Sequence, residues 1–338
     1  MGTESQEVDD AVSNAREHGD GVPPDGRELP GATSHPLVSV IIPHLNQAAE
    51  LQTCLKVLNE QTLAKNLYEV IVVDNGSDEP VRLDRHEHPN VQILVERSRG
   101  PGPARNRGVE VAKGDILAFV DADCRADPNW LRNGLRALSL SPKGTILGGR
   151  VVIWHDPTES TLTGVEAYER IFAYRQRQYI RRKGFSGTGN LVVRRADFQS
   201  IGAFAGIDIA EDIDWGERAR AAGFSFCYIE EMVVAHPPRQ SLRELCAKWQ
   251  RQIIHSFNKA RVEPYWRVRW VLRTIAVLIS PCVDVFQIAG SSQISGMMAR
   301  AKAIGVLIAT RWYRSWVMLS LLVVRKPISW NSSQKIRP

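Results

Sequence analysis

Leu37-Val38-Ser39-Val40-Ile41-Ile42-Pro43 is an apolar, β-branched run closed by proline, the pattern of a buried strand. A helical spacing follows, with Leu51, Leu55 and Leu58 on one face beside Cys54, and it ends near Gln61. Val70-Ile71-Val72-Val73 then reads as a second strand, stopped by the turn formers Asp74-Asn75-Gly76-Ser77-Asp78. Strand, helix and strand make a βαβ unit, and the alternation continues. Residues 91–95 predict a third strand, 103–112 a helix, and Ile116-Leu117-Ala118-Phe119-Val120 a fourth strand ending at Asp121. Such alternation predicts an α/β fold with a mostly parallel sheet flanked by helices on both faces. Further on, Asp127-Pro128 supplies an N-cap and first-turn proline for a helix buried through Leu131, Leu135 and Leu138. Another helix is expected over 213–222, with Trp215, Ala219 and Ala222 on one face and Gly223 as its stop.

The totals describe a chain able to fold: 338 residues, 43% hydrophobic and 24% charged. Five scattered cysteines suggest neither a zinc site nor a disulfide framework and fit a reducing compartment. Residues 1–35 are polar and acidic, without the basic start and apolar run of a secretory signal, and read as a disordered segment. The net charge of +6 is unevenly spread. From Arg239 onward 17 Lys and Arg face three acids, leaving 26 basic and 34 acidic residues before it. A basic tail of this kind calls for an anionic partner.

In open α/β sheets ligands bind beyond the carboxyl ends of the strands, where Asp74 and Asp121 both fall. If Asp121-Ala122-Asp123 stays extended, its two carboxylates point the same way, roughly 7 Å apart. Such a pair suits a hard divalent cation, Mn²⁺ or Mg²⁺, bound to a diphosphate; a solvated turn is the bland alternative. Gly100-Pro101-Gly102-Pro103-Ala104-Arg105 lacks the ending of a P-loop and reads as a loop entering a helix. Glu211-Asp212 fits an acidic helix start, which the macrodipole favours, and equally a catalytic carboxylate.

Over about residues 37–236 the sequence resembles glycosyltransferase family 2. The resemblance is carried by Val38 to Pro43 with Asn46, Val72-Val73-Asp74-Asn75-Gly76-Ser77, Gly102 to Gly108, Phe119 to Asp123, Gly187-Thr188-Gly189-Asn190 and Glu211-Asp212-Ile213-Asp214-Trp215, in the family's order. It implies a GT-A type, Rossmann-like domain and inverting transfer of a sugar from a nucleoside-diphosphate sugar, with UDP-sugars foremost. It implies that Asp74 contacts the base, with Pro43 and Asn46 lining that pocket, and that Arg105, Asn106, Gly189 and Asn190 lie toward the donor. Asp123 would hold the metal, Asp121 would share it or face the ribose, and His236 would add a third ligand, although a lone histidine is as readily structural. Asp212 would be the base, supported by Glu211. Lys248-Trp249-Gln250-Arg251-Gln252 shares composition but not order with the Gln-x-x-Arg-Trp element of processive synthases, which favours addition of one sugar.

The expected organisation is a disordered segment 1–35, a GT-A catalytic domain 36–238 and a basic helical region 239–338. Residues 271–289 and 303–324 are apolar but interrupted by charges, with Trp312, Tyr313 and Trp316 beside basic residues. That favours helices lying in a membrane interface over spanning helices. The partners implied are a nucleotide-sugar, a glycan or lipid-linked acceptor and an anionic membrane surface, at the cytoplasmic face of the plasma membrane; no nucleic-acid module is recognisable. Competing readings are a nucleotidyltransferase, which releases pyrophosphate, and a non-catalytic module binding membranes or anionic polymers.

Overall fold

The computed structural model describes residues 35–83, 88–156, 158–207 and 209–323. The segment read as disordered lies, but for His35, outside the described residues, as do the last residues of the basic tail. The chain divides into two compact units: Met1–Val151, Arg175–Gly206 and Glu211–Ala235 form the first, and Val152–Tyr174, Ile207–Ala210 and His236–Pro338 the second.

The first unit is built on a sheet of β1 (Val38–His44), β2 (Tyr68–Asp74), β3 (Val91–Val95), β4 (Ile116–Val120), β5 (Arg125–Ala126), β6 (Thr145–Ile153), β7 (Asn190–Arg194) and β8 (Ser225–His236), in the order β3-β2-β1-β4-β7-β6-β8-β5. The pairs β3/β2, β2/β1 and β1/β4 are parallel, as the βαβ pattern requires. Beyond β4 the pairs β4/β7, β7/β6 and β8/β5 are antiparallel, a half that the early alternation does not encode.

Side-chain alternation sorts the sheet's core onto two faces. Val38, Val40, Ile42, Val70 and Val72 pack on one face with Leu51, Leu55 and Leu58 of α1 (Ala48–Asn59) and with Leu131, Leu135 and Leu138 of α3 (Trp130–Leu140). Ile41, Ile71, Val73, Leu117 and Phe119 pack on the other with Ala104 of α2 (Pro101–Val111), Phe198 of α5 (Arg195–Ile201) and Trp215 and Ala219 of α6 (Glu211–Ala221). Helix α2 lies so close to β1 that a Cβ on Gly108 would stand 2.6 Å from Ile41 Cγ2. Asp127-Pro128 does not open a helix as expected. Asp127 instead forms a turn, its carbonyl accepting the Trp130 N–H at 2.8 Å and its carboxylate the Asn129 N–H at 2.9 Å, so α3 starts at Trp130.

In the second unit, α4 (Gly164–Phe172), α7 (Leu242–Ala260), α8 (Trp266–Ile279), α9 (Pro281–Ala289) and α10 (Met297–Leu321) enclose two apolar clusters. Tyr168, Phe172, Leu245, Ile288, Ala303 and Leu307 form one; Phe257, Trp270 and Met318 centre the other, where the Trp270 indole N–H donates to the Met318 carbonyl at 2.9 Å. Among the described residues no single helix is long and apolar enough to cross a membrane, although α8 and α9 together, bent by 41°, match that length and composition.

The sheet's antiparallel half depends on the fully buried Asn190, whose amide donates to the Arg150 and Met232 carbonyls at 2.9 and 2.8 Å and accepts the Trp130 indole N–H at 2.9 Å. Its replacement removes three hydrogen bonds at once. Asn190→Ala is expected to destabilise the protein by roughly 3 kcal/mol, read as a lower urea midpoint at unchanged slope.

Candidate active site

The register of the parallel strands brings the acidic strand ends together. His44 at the end of β1 is paired with Asp74 at the end of β2, and Ile41 with Phe119, so Asp121 emerges beside the Pro43 end of β1. β1 is also where the strand order changes direction, the place in an open α/β sheet where a crevice forms.

At the β2 side, Asp74 is buried, accepts the Ser77 N–H at 3.0 Å and lies 3.7 Å from His44 Nδ1. His44 Nε2 accepts the Gln47 N–H at 3.2 Å, which leaves Nδ1 as the donor toward Asp74 and toward Ser77 Oγ, 3.3 Å away. Asn46, in the left-handed region at φ 53°, is locked to the same turn. Its amide exchanges bonds with Asp78, at 3.0 Å to the carboxylate and 2.8 Å from the backbone N–H. Asn75 fastens the next loop, its side chain accepting the N–H of Gly100, whose φ of 121° is open to glycine. His44 is not among the residues the sequence singles out, and Ser77 enters there only as a turn former and motif position; the one available signal is that they lie beside Pro43 and Asp74 at the strand ends.

At the β4 side, Asp121-Ala122-Asp123 is a tight turn rather than an extended stretch, because the Cys124 N–H closes on the Asp121 carbonyl at 3.0 Å. The turn still gathers both carboxylates: burial first, then each of these two aspartates, pushes the Cys54 thiol far above its usual range. Asp123 Oδ2 meets the Gln47 amide at 3.4 Å. Gly189 is required by Asp121, since a Cβ there would stand 2.6 Å from its Oδ2.

Arg105, only 3% exposed, joins this turn to the start of α6. Its guanidinium donates to Asp121 at 2.6 Å and to Glu211 at 2.9 Å. Burial pulls its pKa down, yet the two carboxylates outweigh that and leave it raised. Helix α6 starts at Glu211, placing Glu211 and Asp212 in its first turn, where the dipole favours ionised carboxylates by about 1 kcal/mol at most. Asp212 nevertheless behaves oppositely. Burial, then the neighbouring Glu211 charge, push it up to about 7, against the lowering effects of the Ile213 N–H and Arg105. Desolvation outweighs the dipole here, and it poises a carboxyl near neutrality. By linkage, Asp212 favours folding fully below the ordinary carboxylate pKa, and that contribution is lost as pH rises through about 7.

Two residues expected toward the donor bond to the scaffold through their side-chain amides. Asn106 exchanges both amide bonds with the Phe204 backbone at 2.9 Å, and all three bonds of Asn190 are those described above. His236 ends β8; its ring lies 4.6 Å from that of Tyr174, and its Nδ1 is 2.6 Å from the Pro237 carbonyl. An apolar groove of about 690 Å³ opens at the amino ends of β1 and β4, lined by Leu37, Ile116, Leu135 and Leu138, away from the acidic strand ends.

The sheet thus carries acidic residues at its strand ends, beside a carboxyl pushed up to about 7 by burial and a like charge. Residues 39–202 match the family described as "Glycosyl transferase family 2". Glycosyltransferase AglE of Haloferax volcanii is 36% identical over 213 residues, covering 60% of this chain and 68% of that protein. The amylovoran biosynthesis glycosyltransferase AmsB of Erwinia amylovora is 30% identical over 206 residues, covering 57% and 67%. The chain belongs to glycosyltransferase family 2 and is an enzyme of that class. Its fold matches that of the mannosyltransferase PcManGT from Pyrobaculum calidifontis, solved with GDP-Man and Mn²⁺, at a TM-score of 0.54 and 17% identity over 96% of this chain and 95% of that one.

Arg105→Gln would leave Asp121 and Glu211 facing each other without a cation. It is expected to cost about 2–3 kcal/mol in chemical denaturation, a modest figure because Asp121 keeps contact with solvent, and to move the activity profile to higher pH.

Proposed function

We propose that this enzyme is an inverting transferase moving one sugar from a nucleoside-diphosphate sugar, UDP-linked in the first instance, to a hydroxyl of a glycan or lipid-linked acceptor. The observation that supports the reading is the Arg105 bridge, in which one buried cation pairs both with Asp121 of the carboxylate turn and with Glu211, the chain neighbour of the candidate base. Asp212 takes the proton of the acceptor hydroxyl as that oxygen attacks the anomeric carbon, and its pKa of about 7 suits a base at neutral pH. Glu211 keeps that pKa high and is itself held by Arg105. Asp74 accepts from the base N–H, and the His44-Ser77 contacts fix its carboxylate.

The donor set of the Asp121-Asp123 turn is hard carboxylate oxygen, which fits Mn²⁺ or Mg²⁺. Asp123 and Asp121 would hold the ion, and such an ion would offset charge on the departing diphosphate. Calorimetric titration with UDP- and GDP-sugars is expected to show metal-dependent binding of one donor, lost in Asp123→Ala and kept in Asp212→Asn. Asp212→Asn should lose turnover by 10³-fold or so, and wild-type kcat/KM should rise through about pH 7. Release of pyrophosphate instead of a nucleoside diphosphate would sink the transferase reading in favour of a nucleotidyltransferase.

We further propose that the second unit rests on an anionic membrane surface at the cytoplasmic leaflet. Val268, Leu272, Ile275 and Ile279 form an exposed stripe on α8, continued by Val283 and Phe286 on α9; Leu272 is 62% and Phe286 74% exposed, whereas Trp270 and Thr274 face the interior. The acids nearby are paired, Glu263 with Arg269 and Asp284 with Arg311, while Tyr265, Trp312 and Trp316 are exposed as interfacial anchors. The five cysteines are unbridged, in keeping with a cytoplasmic setting. Wild type should float with phosphatidylglycerol vesicles, and a Leu272→Glu, Phe286→Glu variant of equal Tm should not; failure of the wild type to float would overturn the proposal.

A further inference from the structure

Glu169 on α4 is buried, and cations gather around its carboxylate beyond what its single charge balances. It accepts the Arg239 backbone N–H at 2.9 Å and pairs with the Arg239 guanidinium, while Lys248 Nζ on α7 stands 3.8 Å away. Arg251 follows Lys248 by three residues on α7, so the two share a helix face. The Lys248 ammonium lies 5.0 Å from the centre of the Tyr174 ring. Tyr174 is held at φ 46°, a left-handed conformation costly for a tyrosine and tolerated where the surroundings over-determine it.

An ion pair kept only for stability would balance its charges. Here two cations, Arg239 and Lys248, face one carboxylate, and Arg251 lies one helical turn beyond Lys248, all partly withdrawn from water. Burial, then the Arg239 charge, push Lys248 down to about 7 and lower Arg251 as well. The excess of positive charge is costly to the free protein and is relieved by an anion. The Lys248 and Arg239 side chains keep 17% and 19% exposure, enough for a ligand to reach them. An incoming anion would hold Lys248 protonated, and the planar guanidinium together with the ammonium suits phosphate oxygens.

We propose that Arg239, Lys248 and Arg251, steadied by Glu169, form a binding site for a phosphate or diphosphate group on the second unit. Taken with the transferase reading above, on which this part rests, the group belongs to a phosphate-linked lipid acceptor. Glu169 acts as a positioning residue, fixing Arg239 through both carboxylate oxygens.

The full-length protein is titrated calorimetrically with inorganic pyrophosphate in chelator, which removes metal-dependent donor binding. Expected are binding by wild type and Asp123→Ala alike, and at least tenfold weaker binding by Lys248→Gln and Arg251→Gln. Lys248→Gln should also raise Tm without ligand, since it removes an unbalanced buried charge, so weaker binding would not reflect unfolding. No binding by wild type, equal binding by the Lys248 and Arg251 variants, or loss in Asp123→Ala would each overturn the site. Competition by a short-chain prenyl phosphate assigns the group to the acceptor, and competition by phosphatidylglycerol vesicles alone assigns it to lipid headgroups. Pyrophosphate binding in a protein that binds no nucleotide-sugar would leave the site standing and remove the transferase reading.

Discussion

The bridge from Asp121 through Arg105 to Glu211 is the constraint on which the candidate site depends. It ties the end of β4 to the first turn of α6, elements separated by some 90 residues, through one buried guanidinium. Without that cation, two carboxylates would stand in a partly dry crevice with no counter-charge, and a folded chain resolves that by protonation or by moving apart. With it, Glu211 stays paired, and the Asp212 carboxyl is pushed up to about 7 first by burial and then by the Glu211 charge, with Arg105 pulling the other way.

Three different means keep the acidic groups distinct. Asp74 is fixed in a turn by hydrogen bonds from Ser77 and by His44. Asp121 and Asp123 sit in a turn closed by the Cys124 N–H and remain partly open to solvent. Asp212 is set by burial and a like charge. One chain thereby holds its carboxylates in three different electrostatic settings, on which the proposed transfer to a hydroxyl draws.

The second unit follows another electrostatic logic. Its apolar clusters are ordinary helix packing, but its charges are lopsided, with Glu169 facing both Arg239 and Lys248. The exposed faces of α8 and α9 leave large apolar side chains without a protein partner among the described residues. Both features make sense in a region that meets phosphate-bearing, amphipathic material.

The sequence by itself determined the βαβ half, because apolar alternation and strand-end turn residues are local signals. It also located the carboxylates in Asp74, Asp121, Asp123 and Asp212, since strand ends and helix starts are punctuated in the sequence. Tertiary structure decided the antiparallel half, where Asn190 joins Trp130, Arg150 and Met232 across long sequence separations. It decided that Asp121-Ala122-Asp123 turns instead of running straight, and that Asn106 and Asn190 serve the scaffold. The pKa of Asp212 was also a tertiary matter: helix position alone favours its ionised form, and only burial beside Glu211 reverses that sign.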